Sequence, residues 1–158
     1  MSKSVPPRPR VVRSKRRFAI VASQFNAQYV QGLVEHAEKE LGRLAANAAI
    51  FIHRVPGSFE IPIVISELAR KKKDDAIIAC GVIMQGETNH AKNLSRSVSN
   101  ALQRIAVEHS VPVINVVLSF DNEAQARERC LGKKINRGIE AARAAVEIAN
   151  VLSDLRRS

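Results

Sequence analysis

The chain has 158 residues, 46% of them hydrophobic, with two cysteines and no tryptophan. That length suits one domain with its own core, two thiols are too few for a disulfide-built scaffold, and no apolar run approaches the roughly 20 residues that span a bilayer. The formal charge of +10 would suit a polyanion partner, so its distribution along the chain matters more than its sum.

The first 17 residues, MSKSVPPRPRVVRSKRR, hold seven Lys and Arg and no acid, which leaves 18 bases against 15 acids in the rest. With Pro6, Pro7 and Pro9 and no aromatic residue, residues 1–16 read as a basic, mobile tail and residues 17–158 as a single domain. A solvated tail is the simpler reading, so nucleic acid is not the expected partner, although polyanion binding by the tail stays open. An Arg-rich, acid-free start also resembles a transit peptide, but three prolines oppose the amphipathic helix such peptides form. The expected location is the cytoplasm, with no membrane partner.

RFAIVAS, residues 17–23, is a short apolar run suited to a buried strand. Residues 25–44 follow with Val30, Leu33, Val34, Ala37 and Leu41 at helical spacing. A second strand over 48–55 stops at Pro56 and Gly57, and Ile61, Ile65, Leu68 and Ala69 then mark a helix ending in Lys71–Lys73. DAIIACGVIM, residues 75–84, is apolar almost throughout, as in a strand covered on both faces. A helix over 91–108 and a strand over 111–119 come next. Asp121 or Asn122 is placed to cap a short helix, and a last helix runs over 135–155.

Strands alternating with helices demand crossover connections, hence a parallel sheet. The expected fold is α/β: a three-layer α/β/α sandwich around four parallel strands, with flavodoxin-like topology. Ligands in such folds bind at the carboxyl ends of the strands, where the strand order switches. The segments leaving the four strands are SQFN, VPGSFE, GVIMQGETNH and LSFDN, and they are expected to meet at one site.

In GVIMQGETNH, Gly86 can bring backbone close to a ligand. Thr88 is placed to begin a helix whose free N–H groups favour an anion such as phosphate. Thr88 as a plain N-cap and Gly86 as a turn residue is the competing explanation. His90 lies in the first turn, where an imidazole beside an anion can pass protons near neutral pH. His36, His53 and His109 sit where lone histidines are structural.

Arg129, Lys133 and Arg137 recur every four residues across Gly132 with no carboxylate at that spacing, so they are candidates to clamp an anion, including one bound by a neighbouring subunit. Phe25 and Phe59 can stack on a flat ring or pack in the core, and Asn26 and Glu60 beside them offer directional contacts. Histidines and cysteines never fall at metal-ligand spacing, and no glycine-rich nucleotide motif occurs, so no metal or cofactor is expected. The residues themselves point to a flat polar ring and a phosphorylated small molecule.

The ordered set SQFN (23–26), VPGSFEIP (55–62), GVIMQGETNH (81–90), VPVINVVLSFDNEAQARER (111–129) and NRGIEAARAAVEIANV (136–151) resembles the lumazine synthase family across residues 17–155. The resemblance implies a cofactor-free transferase of riboflavin biosynthesis. It would condense 5-amino-6-(D-ribitylamino)uracil with 3,4-dihydroxy-2-butanone 4-phosphate to give 6,7-dimethyl-8-ribityllumazine and phosphate. By the same motifs, Phe25 matches the ring-stacking aromatic, with Asn26 beside it. Ser58, Phe59 and Glu60 match the ribityl-binding segment, and Val82, Ile83 and Met84 the strand end against the uracil. Glu87 and Thr88 match the backbone phosphate cradle, His90 the proton carrier, Arg129 the phosphate-binding arginine near an adjacent subunit's pocket, and Lys133 a further basic position of that phosphate region.

Three positions depart from the family pattern. Asn115 stands where many members place an aromatic near the substrate, Gln85 replaces a frequent arginine, and LGKKINRG replaces a glycine-richer turn. The family forms homopentamers with sites between subunits, some of which build shells of sixty and associate with riboflavin synthase. The departures leave open a catalytically weak flavin-binding or shell-forming member.

Overall fold

The computed structural model describes residues 2–158. Four strands form one parallel sheet in the order β2-β1-β3-β4: β1 (Arg17–Ser23), β2 (Ala49–Val55), β3 (Ala76–Met84) and β4 (Val113–Phe120). The helices are α1 (Ala27–Leu44), α2 (Ile61–Lys71), α3 (His90–His109), α4 (Glu123–Cys130) and α5 (Arg137–Arg157). Because β1 and β3 are central, their side chains are buried on both faces, which explains their unbroken apolar sequences.

Alternation within the central strands divides the core in two. Phe18, Ile20, Ala22, Ile78 and Cys80 pack under α1 and α5 with Leu33, Leu41 and Val146. Ala19, Val21, Ile77 and Ala79 face α2 and α3 with Ile61, Ile65, Val98 and Leu102. The result is the expected three-layer sandwich. The two layers of helices cover opposite faces and leave the strand ends uncovered.

Several boundaries differ from the sequence reading for local reasons. Asn122, rather than Asp121, caps α4 by accepting from the Gln125 N–H at 2.9 Å. Helix α5 begins at Arg137 and not Ile135. The Asn136 side-chain Oδ1 accepts from the N–H groups of Gly138 and Ile139, while its side-chain amide nitrogen donates to the backbone carbonyls of Cys130 and Gly132. One buried side chain therefore closes α4 and opens α5. Gly138 permits the approach of α5 to α1, since a Cβ there would lie 2.3 Å from the Leu33 carbonyl oxygen. Thr88 is not an N-cap: α3 starts at His90 after Asn89, and among the described residues no side chain caps it. A short 3-10 turn, Ser58–Glu60, precedes α2 and has no periodic signature in sequence.

Within the basic segment, Val12 is buried and its N–H donates to the Leu44 carbonyl at 2.7 Å. Burial pushes the thiols of Cys80 and Cys130 up to about 12, so neither is a thiolate at neutral pH and both act as apolar core groups.

Candidate active site

The chain switches direction across the sheet between β1 and β3, and there the loops after three strands and the start of α3 enclose a cleft of about 420 Å³. Its walls are Phe25 and Asn26 after β1, Gly57–Glu60 after β2, Val82–Met84 at the end of β3, and His90 and Leu94 on α3. Backbone bonds lock the loops together. The Gln24 N–H donates to the Val55 carbonyl at 2.9 Å, and the Gln85 N–H to the Phe120 carbonyl at 2.8 Å.

Asn26 spans the switch point directly. Its side-chain amide donates to the Val82 carbonyl at 2.7 Å, and its backbone has the left-handed conformation, with φ of 54°. Asparagine tolerates that conformation better than other branched or bulky residues. The turn swings Phe25 outward, and Phe25 and Phe59 are 71% and 67% exposed. Exposure at that level decides against a core role for either ring and leaves their faces free for a flat ligand.

The VPGSFE loop is braced from below. The Glu60 carboxylate accepts from the Gly57 N–H at 2.9 Å. Ser58 is buried against β3, where a Cβ at Gly81 would lie 2.6 Å from the Ser58 Oγ. Glycine at 81 is thus the condition for this loop to approach the sheet. Val82 and Ile83 are buried and Met84 half-buried, forming an apolar floor.

His90, the first residue of α3, is exposed at the cleft rim. Its N–H makes only a 3.4 Å contact with the Thr88 hydroxyl, so the first-turn N–H groups keep their capacity for an anion. Glu87 and Thr88 lie exposed in the loop just before it and do not line the cleft itself.

The remaining candidates are elsewhere in this chain. Asn115 lies on the edge strand, donating to the Ser99 hydroxyl at 3.0 Å and accepting from the Val117 N–H. Arg129 faces Glu128 at 3.4 Å, Arg137 is paired with Glu140 three residues on, and Lys133 borders a groove with His36 and Arg43. The test of spacing by four missed the Arg137 partner, because i,i+3 pairs also meet on a helix. Gly57 and Leu94 are cleft residues that the sequence reading did not assign. Leu94 follows His90 by one helical turn, a spacing that would have placed it on the same face. Among the described residues no group of acidic, histidine and cysteine side chains is arranged to hold a metal ion.

A flavodoxin-like α/β/α protein with exposed aromatic rings, a hydrogen-bonding loop and a histidine at the strand switch point is of the class that binds and transforms small, flat, polar molecules. Residues 15–153 match the family profile described as 6,7-dimethyl-8-ribityllumazine synthase. Relatives bearing that name include proteins of Aquifex aeolicus, 43% identical over 141 residues (89% of this chain and 92% of the relative), and Leptothrix cholodnii, 40% identical over 140 residues (88% of each). A Polaromonas relative is 36% identical over 143 residues, 89% of this chain and 90% of its own. The chain belongs to the 6,7-dimethyl-8-ribityllumazine synthase family.

Proposed function

We propose that the cleft is the active site of a transferase that condenses 5-amino-6-(D-ribitylamino)uracil with 3,4-dihydroxy-2-butanone 4-phosphate, yielding 6,7-dimethyl-8-ribityllumazine, phosphate and water, a step of riboflavin biosynthesis. The observation that carries the reading is the convergence of Phe25, Asn26, Ser58–Glu60, Val82–Met84 and His90 on one cleft at the switch point. Family membership favours this catalysis over a flavin-binding, shell-only or nucleic-acid-binding role.

In this reading the uracil ring lies against Phe25 with its edges toward the backbone of Val82–Met84, and the ribityl chain runs along Ser58, Phe59 and Glu60. The phosphate sits on the Glu87–Thr88 backbone and the first turn of α3, where free N–H groups and the dipole favour negative charge. The amine adds to the ketone and water leaves, giving an imine; proton loss beside it expels phosphate; the second nitrogen closes the ring and a second water leaves. Every stage moves a proton and none needs a nucleophile from the protein, so His90 serves as proton carrier while the cleft fixes orientation.

Asn115 and Arg129 lie outside the cleft of their own chain, and Phe25, Phe59 and Ile63 are exposed large apolar side chains of the kind a second subunit covers. These facts support a homopentamer in which Arg129 and Asn115 of one copy reach the cleft of the next, with Lys133 adding positive charge near the phosphate. A shell of sixty and association with riboflavin synthase would extend that assembly, and native mass measurement separates five copies from sixty. The domain is taken as residues 17–158 with the basic segment 1–16 as an appendage. The cytoplasm is the assigned location; among the described residues no helix is long and apolar enough to cross a membrane.

The test is to mix both substrates with purified protein and follow lumazine absorbance and fluorescence together with phosphate release. One phosphate per lumazine is expected. Uracil-substrate binding by assembled protein without product would overturn the catalytic reading and leave the binding one.

A further inference from the structure

At the opposite end of the molecule from the cleft, the basic segment folds against the last turns of α5 and encloses a second cavity of about 340 Å³. Among the described residues five cationic side chains line it, namely Arg10, Arg13, Lys15, Arg16 and Arg157, and no carboxylate does. The nearest acids are already engaged: Asp154 takes Arg10 at 3.3 Å and also Arg157, and Asp75 lies 3.7 Å from Arg16. Arg13 and Lys15 have no ion-pair partner among the described residues.

Two donors within this wall are buried and lack a hydrogen-bond partner among the described residues. They are the Nε of Arg16 and the side-chain amide nitrogen of Asn150, a residue only 4% exposed. The two residues also meet each other, the Arg16 Nη2 donating to the Asn150 Oδ1 at 3.4 Å; the remaining two donors stay desolvated and unpaired, an unfavourable state that an acceptor reaching them would relieve. The wall is also held in place, because the Val12 N–H donates to Leu44, the Asn47 amide donates to the Arg13 carbonyl, and the Ala49 N–H donates to the Arg16 carbonyl. Uncompensated positive charge, buried donors and an anchored backbone coincide in one polar cavity.

We propose that this cavity is a second oxyanion site, which binds a single phosphate group, either as inorganic phosphate or as the phosphate of a small phosphomonoester. Asn150 and Arg16 supply the buried donors, while Arg13 and Lys15 supply the charge. Arginine can grip a phosphate through two parallel hydrogen bonds. Occupancy ties residues 10–16 to α5 and stabilises the folded chain by mass action.

Equilibrium dialysis of the full chain against labelled inorganic phosphate at about 150 mM salt, where exposed charges are largely screened, tests the proposal. The exposed pair Arg13→Gln with Lys15→Gln should weaken one class of sites by about tenfold or more, the equivalent of one charged hydrogen bond. Asn150→Leu should do the same, and the paired exposed variant keeps the test decisive if that buried change unfolds the chain. Arg129→Ala should leave this class intact, which separates it from phosphate bound at the active-site cleft whatever the synthase assay gives. Glycerol 3-phosphate competing better than inorganic phosphate identifies a phosphomonoester as the source, and the reverse identifies the free ion. Phosphate binding unchanged in the Arg13/Lys15 pair, or weakened equally by Lys72→Gln with Lys73→Gln, would overturn the site. So would a single-stranded RNA that binds through the same residues at this salt while phosphate does not.

Discussion

At the amino-terminal end of the sheet Arg17 meets the buried Asp74 at 3.0 Å and lies over the Phe51 ring at 3.9 Å, whereas at the carboxyl end Phe25 and Phe59 project into solvent beside an exposed histidine. Both ends belong to the same strands, so strand geometry does not account for the contrast. At one end Arg17 finds mates across β1, β2 and the turn into β3. At the other, apolar and polar groups that folding would ordinarily bury or pair are held open by the left-handed turn at Asn26 and the braced VPGSFE loop. Groups held out of contact at a structural expense mark a surface that something else completes, a substrate or a second subunit.

The largest effect should come from the open end. His90→Ala is expected to lower turnover by about 10²- to 10⁴-fold, the range for a general acid-base group, with little change in uracil-substrate binding or unfolding midpoint. Steady-state kinetics of mutant and wild type compare them directly, and similar rates would remove His90 from the mechanism.

Next is the brace beneath the cleft. Gly81→Ala places a Cβ 2.6 Å from the Ser58 Oγ and 3.3 Å from side-chain carbons of Ile61 and Val117, so about 1–3 kcal/mol of overpacking is expected. Denaturant unfolding measures the loss, and a raised KM should accompany it because Ser58 and its loop are displaced. A fall in stability with unchanged KM would show that the loop's position does not govern binding.

Asn26 separates backbone from side chain. Asn26→Gly keeps the positive φ and loses the bond to Val82, at a cost of about 1 kcal/mol. Asn26→Ala loses both and should cost about 1 kcal/mol more. Chemical denaturation of the two variants tests that order; equal stabilities would show that the left-handed turn carries no strain.

The smallest effect belongs to the paired end. Burial raises the Asp74 carboxyl above its ordinary value of 3.8, against the lowering hydrogen bond and charge of Arg17. A folded-state value above the unfolded one means that the folded state holds the proton more tightly between the two. This group's contribution therefore grows as pH falls through the folded value toward 3.8 and diminishes as pH rises again. The stability of wild type relative to Asp74→Asn should increase on mild acidification, as thermal unfolding across that window would reveal. A difference that shrinks toward acid would mean that the Arg17 pair outweighs burial.

Much of the cleft could be read before the fold was seen. Phe25, Ser58–Glu60, Val82–Met84 and His90 stand where apolar strand runs give way to glycine, aromatic and polar residues, and parallel strands must present those breaks on one edge. Thr88 misled because a hydroxyl three residues into a turn looks like a cap, while the chain in fact enters α3 through Asn89. Arg129, Lys133 and Asn115 carry chemistry recognisable from residue type and motif, yet within one chain they lie apart from the cleft.

Taken by itself, the sequence determined the alternation of strands and helices, and with it the parallel sheet, because periodicity of apolar residues is a local property that each segment satisfies alone. It also marked the polar breaks at the strand ends. Tertiary structure alone decided that Asn26 reaches Val82, that Ser58 rests on Gly81, and that the basic segment meets Asn150. Those contacts join residues 56, 23 and 134 positions apart, and side chains so distant come together only once packing of the two cores has fixed where every strand end lies.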